Sequence, residues 1–259
     1  MERICDLYFE LSNESRINIL RILRGNPMNL TNLSKKLGAT NQECSRHLSR
    51  LVEAKLLEKT PDGHYRVSPY GELITRTNRG QSFIVKHRDY FNTHTLNALP
   101  EEFVGRMGEL SNCEYVEDVM LVFQNIERMF REAEEQAMRI TDQYLLLAVP
   151  ASKAATERGV SFRIITIRDI VYPPDFTETT ASFEKMMHEG RFTPREAERI
   201  DVFLAMSEKE VAALSFPSRD GRFDYLGFTS KDEAALKWCR DLFEYYWEKA
   251  KPKLDLPWL

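Results

Sequence analysis

Six side chains near the front of the chain, Asn41, Gln42, Ser45, Arg46, Ser49 and Arg50, have the types and spacing to grip a nucleic acid. Amides pair with adenine edges and guanidinium groups with guanine edges, while hydroxyls and arginines also hold phosphate oxygens. Charge neutralisation alone would need only cations, so the mixture points to base reading as well. Cys44, Leu48, Leu51 and Val52 recur among them at i, i+4, i+7 and i+8, an apolar stripe of helical period that turns the polar six outward. Three neighbours read differently: Glu43 as a cap, Cys44 as a small buried side chain, and His47 as either a brace for the helix or a further base contact.

The elements that must position these groups are written locally. Thr40 with Glu43 has capping-box spacing, which starts a helix at Asn41 whose free amides and partial positive charge suit a phosphate. Upstream, residues 30–37 predict a short helix stopped by Gly38, so two helices are joined by a tight turn. Downstream, residues 56–60 and 64–68 predict two strands around an Asp62-Gly63 turn, and Ser68 with Pro69 opens another helix.

Ser45, His47, Leu48 and Leu51 fall on a Ser-x-His-Leu-x-x-Leu pattern and precede Glu-Ala-Lys-Leu-Leu at 53–57 and the Asp-Gly turn. Residues 10–80 thereby resemble the winged helix of arsenic-repressor-type (ArsR) regulators. The resemblance implies a recognition helix in the major groove and a wing on the adjoining backbone. It would give Lys59, His64 and Arg66 phosphate or minor-groove roles.

The net charge of −4 looks wrong for a DNA-binding protein until the chain is divided. Residues 1–95 carry 15 Lys/Arg against 10 Asp/Glu, and residues 96–259 carry 21 against 30. A basic half joined to an acidic half suggests nucleic-acid binding fused to a second task. With 259 residues, two domains are expected. The start of the chain has no apolar run resembling a signal peptide and no segment is apolar enough to span a membrane, so a cytoplasmic location and no membrane partner are expected. Four scattered cysteines, with no Cys-x-x-Cys pair, argue against a disulfide framework or a zinc knuckle.

Residues 72–90 predict one long helix, with Gly80 as its point of interruption and dimerisation or simple linkage as its use. A short helix is expected near residues 99–103, and a strongly amphipathic one over 117–136. Strands follow at 137–141, 160–167 and 201–206, with a helix over 143–158 that breaks at Pro150. Strand, helix, glycine, strand makes a right-handed βαβ unit, so part of the sheet should be parallel. A hairpin of 211–216 with 223–228 and a last aromatic helix opened by Ser230 and Glu233 complete the half. Thr193 to Glu196 stays unassigned, and residues 170–192 are expected as a loop with a short helix near 182–188, able to act as a lid. Ligands of such sheets settle beyond the strands' carboxyl ends, which selects Asp142, Arg168, Asp169 and Ser207.

Asp-Gly-Arg-Phe-Asp-Tyr-Leu-Gly-Phe at 220–228 and Trp-Cys-Arg-Asp-Leu-Phe-Glu-Tyr-Tyr-Trp at 238–247 make residues 96–250 resemble the middle domain of archaeal methanogenesis-regulator-like transcription factors. That resemblance implies a phospholipase-D-like, non-catalytic α/β sensor. Phosphodiesterase chemistry of that class needs a His-x-Lys motif, and none of the five histidines has a lysine two residues on. His87, Asp89 and His94 are the one set worth weighing for a metal, and solvated polar residues explain them better.

The expectation is therefore an α+β or α/β chain: a winged helix-turn-helix over 1–82, linker or dimerisation helices over 83–110, and an α/β regulatory domain with a mixed sheet over 111–259. Its expected partners are double-stranded DNA, a second copy of the chain and a small-molecule effector, with no cofactor or metal and no enzymatic activity. The rival readings are a constitutive DNA-binding scaffold that recruits transcription machinery and, more remotely, a phosphodiesterase.

Overall fold

A computed structural model describes residues 3–171 and 185–253. They divide into two compact units, Met1–Arg79 and Gly80–Leu259. The first unit opens with α1 (Ile4–Leu11), α2 (Glu14–Leu23), α3 (Leu30–Leu37) and α4 (Asn41–Glu53). A hairpin of β1 (Leu57–Lys59) and β2 (Tyr65–Val67) follows, paired Leu57 to Val67 and Lys59 to Tyr65. Gly38 sits at φ 66°, the left-handed conformation that costs a glycine little, and its N–H caps α3. Ile19, Leu23, Leu33, Cys44, Leu48, Leu51 and Leu56 are buried together as an aliphatic core. This is the predicted winged helix-turn-helix.

α5 (Pro69–Lys86) holds residues of both units and runs straight through Gly80. The glycine there answers packing: a Cβ would lie 3.3 Å from the Gly108 amide nitrogen. The predicted interruption comes instead at His87, before α6 (Arg88–Thr93). Residues 83–110, expected as a linker or dimerisation segment, feed the second unit's core with Phe83, Tyr90, Leu99, Phe103, Met107 and Leu110.

The rest of the second unit comprises α7 (Glu101–Gly105), a 3-10 turn (Met107–Leu110), β3 (Glu114–Val116), α8 (Val119–Glu132), β4 (Gln136–Thr141) and α9 (Val149–Glu157). β5 (Ser161–Ile167), β6 (Phe192–Ala197), β7 (Phe203–Ser207), β8 (Val211–Ser215), β9 (Gly227–Ser230), the helix Glu233–Lys249, here α10, and β10 (Lys251–Pro252) complete it. Among the described residues the sheet has eight strands in the order β10-β6-β5-β4-β7-β8-β9-β3. β4, β5 and β6 are mutually parallel, and the remaining pairs are antiparallel. α8 and α9 cover the face that shows Ala137, Phe162 and Phe203, while α10 covers the face that shows Met138, Ile140 and Leu204.

Several local expectations change. Pro150 opens α9 rather than breaking a longer helix, since the first turn needs no N–H from it. Thr193 to Glu196, unassigned from sequence, are the middle of β6, a strand disguised by Pro194. The second hairpin strand is Gly227–Ser230 rather than 223–228. Asp232 rather than Ser230 caps α10, accepting from the amides of Ala234 and Ala235. Most of the expected lid, residues 172–184, lies outside the described residues.

Candidate nucleic-acid interface

α4 begins as its cap dictates: the Thr40 hydroxyl accepts from the Glu43 amide at 3.2 Å. Cys44, Leu48 and Leu51 are fully buried beneath it, and burial pushes the Cys44 thiol up, which leaves it an inert packing group. Gln42, Arg46 and Ser49 are exposed and Ser45 is half-buried, and none of the four side chains has a partner among the described residues. Asn41 is exposed too, with its amide oxygen 2.5 Å from the Ser34 hydroxyl, which leaves the NH₂ outward.

His47 lies 3.9 Å from the Glu43 carboxylate. Burial, and then Arg16, hold its imidazole below the ordinary range, so the ring is neutral near pH 7 and offers one donor and one acceptor. Arg50 is placed differently from Arg46. Its guanidinium meets the Glu10 carboxylate at 2.6 and 3.0 Å and lies over the Phe9 ring. On the wing, Arg66 meets Glu58 across the strand pair at 2.9 Å, and His64 meets Asp62 at 2.8 Å. Lys59 is exposed, with its ammonium 5.6 Å from the Tyr65 ring centre. The structure thus gathers the predicted residues on one helix and one hairpin, with three of their side chains held by carboxylates. Lys35 and Lys36, exposed in the last turn of α3, were missed; two adjacent lysines just before the turn were the available signal.

The four predicted ligand residues do not converge. Asp142 accepts from the Tyr225 hydroxyl at 3.1 Å, Arg168 pairs with Glu196 at 3.5 Å, and Asp169 is exposed. Ser207 is misplaced by the rule that chose it. β7 runs antiparallel to β4, so Ser207 pairs with Ala137 at the opposite end of the strands from Asp142. It is buried, and its hydroxyl accepts from the amides of Lys209 and Glu210 in the hairpin turn. His87 packs edge-on against Phe83 and Phe228, His94 is stacked on Tyr90 and bonded to Asp224, and Asp89 faces solvent. No group of three metal-ligating side chains occurs among the described residues.

Residues 11–60 match the family described as a helix-turn-helix domain, and residues 122–249 match the middle domain of the methanogenesis regulatory protein FilR1. The chain is a helix-turn-helix, DNA-binding transcriptional regulator. No curated protein matches the regulator. Among solved structures it is similar to TrmBL2, described as an archaeal chromatin protein with a novel mode of DNA binding, at 15% identity over 92% of each chain and a TM-score of 0.45. NucT from Helicobacter pylori is similar at 10% identity over 55% of this regulator and 98% of that chain, with a TM-score of 0.39. Nuc from Salmonella typhimurium, a phospholipase D family member, is similar at 11% identity over 56% and 97%, with a TM-score of 0.36. No helix among the described residues is long and apolar enough to cross a membrane.

Proposed function

We propose that the regulator, acting in the cytoplasm, reads an operator with α4 and fixes its register with the wing. What carries this reading is the set of Gln42, Ser45, Arg46 and Ser49, accessible polar side chains without protein partners on a capped helix beside a two-stranded hairpin. Arg46 is the group suited to a guanine edge, and Asn41 and Gln42 to adenine edges or phosphates. Lys59, with Lys35 and Lys36, suits the backbone. Arg50, His64 and Arg66 keep their carboxylate partners, so their roles are to hold α4 and the wing in shape. His47, neutral and half-buried, braces α4. A second copy of the chain would place two such helices on a two-fold operator. The acidic second unit binds a small effector rather than catalysing a reaction: it has no His-x-Lys motif, and a pocket lies beyond three parallel strands.

Electrophoretic mobility shift on the regulator's own upstream DNA, with competitor DNA and a salt series, tests the reading. Retarded complexes that survive competitor and weaken steeply with salt are expected. Complexes that competitor removes completely would reduce the helix to backbone binding, and no complex at any salt would remove the DNA-reading role.

A further inference from the structure

The carboxyl ends of β4, β5 and β6 converge on a cavity of about 70 Å³ beneath α8 and α9. Its walls are chiefly apolar, with Phe130 from α8, Leu145 and Val149 before and within α9, and Phe162, Ile164 and Pro194 from the strands. Thr141, Gln143, Ser152, Thr166 and Lys253 also line it, and one guanidinium, that of Arg139, stands among the apolar side chains. Arg139 stands on the same face of β4 as Thr141, with Ile164 its partner on β5, and is 9% exposed. The guanidinium reaches the Thr141 hydroxyl only at 3.5 Å and lies 5.9 Å from the Phe130 ring centre, and its Nε has no partner. Among the described residues no carboxylate pairs with it. Burial pushes it down to about 10, a measure of how poorly the site solvates the charge.

An interior guanidinium without an anion is costly, and its donor fork fits a carboxylate in two parallel hydrogen bonds. We propose that this cavity takes a small carboxylic acid with an apolar body, its carboxylate on Arg139 and its hydrocarbon against Phe130, Phe162 and Ile164. The assignment rests on the effector-binding reading of the second unit and names the chemical class of that effector. The volume suits a short acyl body and excludes a nucleotide. A phosphate would leave the apolar walls unused. The Lys253 ammonium donates nearby to the Thr166 hydroxyl and to the carbonyls of Ile167 and Arg168, which ties it to the ends of the strands.

The test uses the full chain in thermal-shift and calorimetric titrations with butyrate, hexanoate, octanoate and benzoate, beside their primary amides and inorganic phosphate. At least one acid should raise Tm saturably and bind at least tenfold more tightly than its amide, with phosphate weaker still. Arg139→Met should abolish the preference for acid over amide while leaving the ligand-free Tm equal or higher, since it removes an unpaired charge at similar volume. Arg139→Lys should keep the preference at reduced affinity. Equal binding of acid and amide, no binding of any acid, or acid binding unchanged in Arg139→Met would each overturn the assignment. Repeating the mobility shift with the bound acid separates the two readings. Altered DNA affinity supports both, and acid binding with unaltered DNA affinity upholds the pocket while overturning its role as an effector site.

Discussion

Each unit buries an arginine, and the two are treated in opposite ways. In the first unit Arg16 is 6% exposed; its Nε donates to the Glu10 carbonyl at 2.5 Å, another nitrogen donates to the Phe9 carbonyl at 2.7 Å, and the Glu10 carboxylate stands 3.4 Å away. Those contacts tie α2 to the end of α1. In the second unit Arg139, almost as deeply buried, has one long contact to a hydroxyl and an aromatic face. A structural arginine saturates its donors inside the fold, because an unmet buried donor costs about 1–3 kcal/mol. Among the described residues nothing meets the remaining donors of Arg139, as the proposed carboxylate ligand would. Arg46 of α4 is also unpaired, but it is exposed, where water solvates it until a polyanion arrives.

The comparison can be broken most directly at Arg16. Arg16→Met should destabilise the first unit by about 3 kcal/mol, the lower end for breaking a buried ion pair because Glu10 keeps Arg50. Urea denaturation would show it, and a loss below about 1 kcal/mol would erase the contrast with Arg139→Met. Next in size is Arg46→Ala, which should reduce discrimination between operator and mutated operator by about 1–3 kcal/mol. Competition binding measures it, and an unchanged ratio would make Arg46 a phosphate contact.

Glu10 supplies a pH test of the satisfied site. The hydrogen bond from Arg50 holds its carboxyl below the usual range. The resulting stabilisation is therefore full above the carboxyl's unfolded value and is lost as pH falls through the folded one. Glu10→Gln should lower Tm at neutral pH, and the gap from wild type should narrow as pH falls below the ordinary carboxyl range and close once it passes the lowered folded value. A gap that persists in acid would make the effect one of packing. The smallest effect belongs to Lys59→Ala, which should weaken binding to every DNA sequence alike and reduce the slope of log K against log salt by about 0.9. An unchanged slope would take Lys59 off the backbone.

The first unit was legible because its determinants are neighbours in sequence. Thr40 caps its own helix, Gly38 ends the one before, and Asp62 with Gly63 turns a hairpin whose partners lie within ten residues of one another. What escaped was whether a cation was already occupied: nothing near Arg50 in sequence announces Glu10, forty residues away. The second unit's sheet is assembled from pairings that no local pattern encodes. Ser207 was chosen as though β7 ran parallel to β4, and only the pairing reverses it. Pro194 hid β6, because a proline lacks the amide that a ladder ordinarily uses. Arg139 was read as one more residue of an apolar strand. That it shares a wall with Thr141, Ile164 and Pro194 follows from the register of three strands.

Among the described residues the two margins of the large sheet are β10, two residues containing Lys251 and Pro252, and β3, three residues beginning with Glu114. Short margins that carry proline and charge are poor templates for strand addition from another molecule. Self-association by extending the sheet into a continuous ribbon, and the fibrous aggregation that follows from it, are disfavoured at both ends. The proposed pairing of two copies on DNA is thereby directed to helices or loops rather than to these margins.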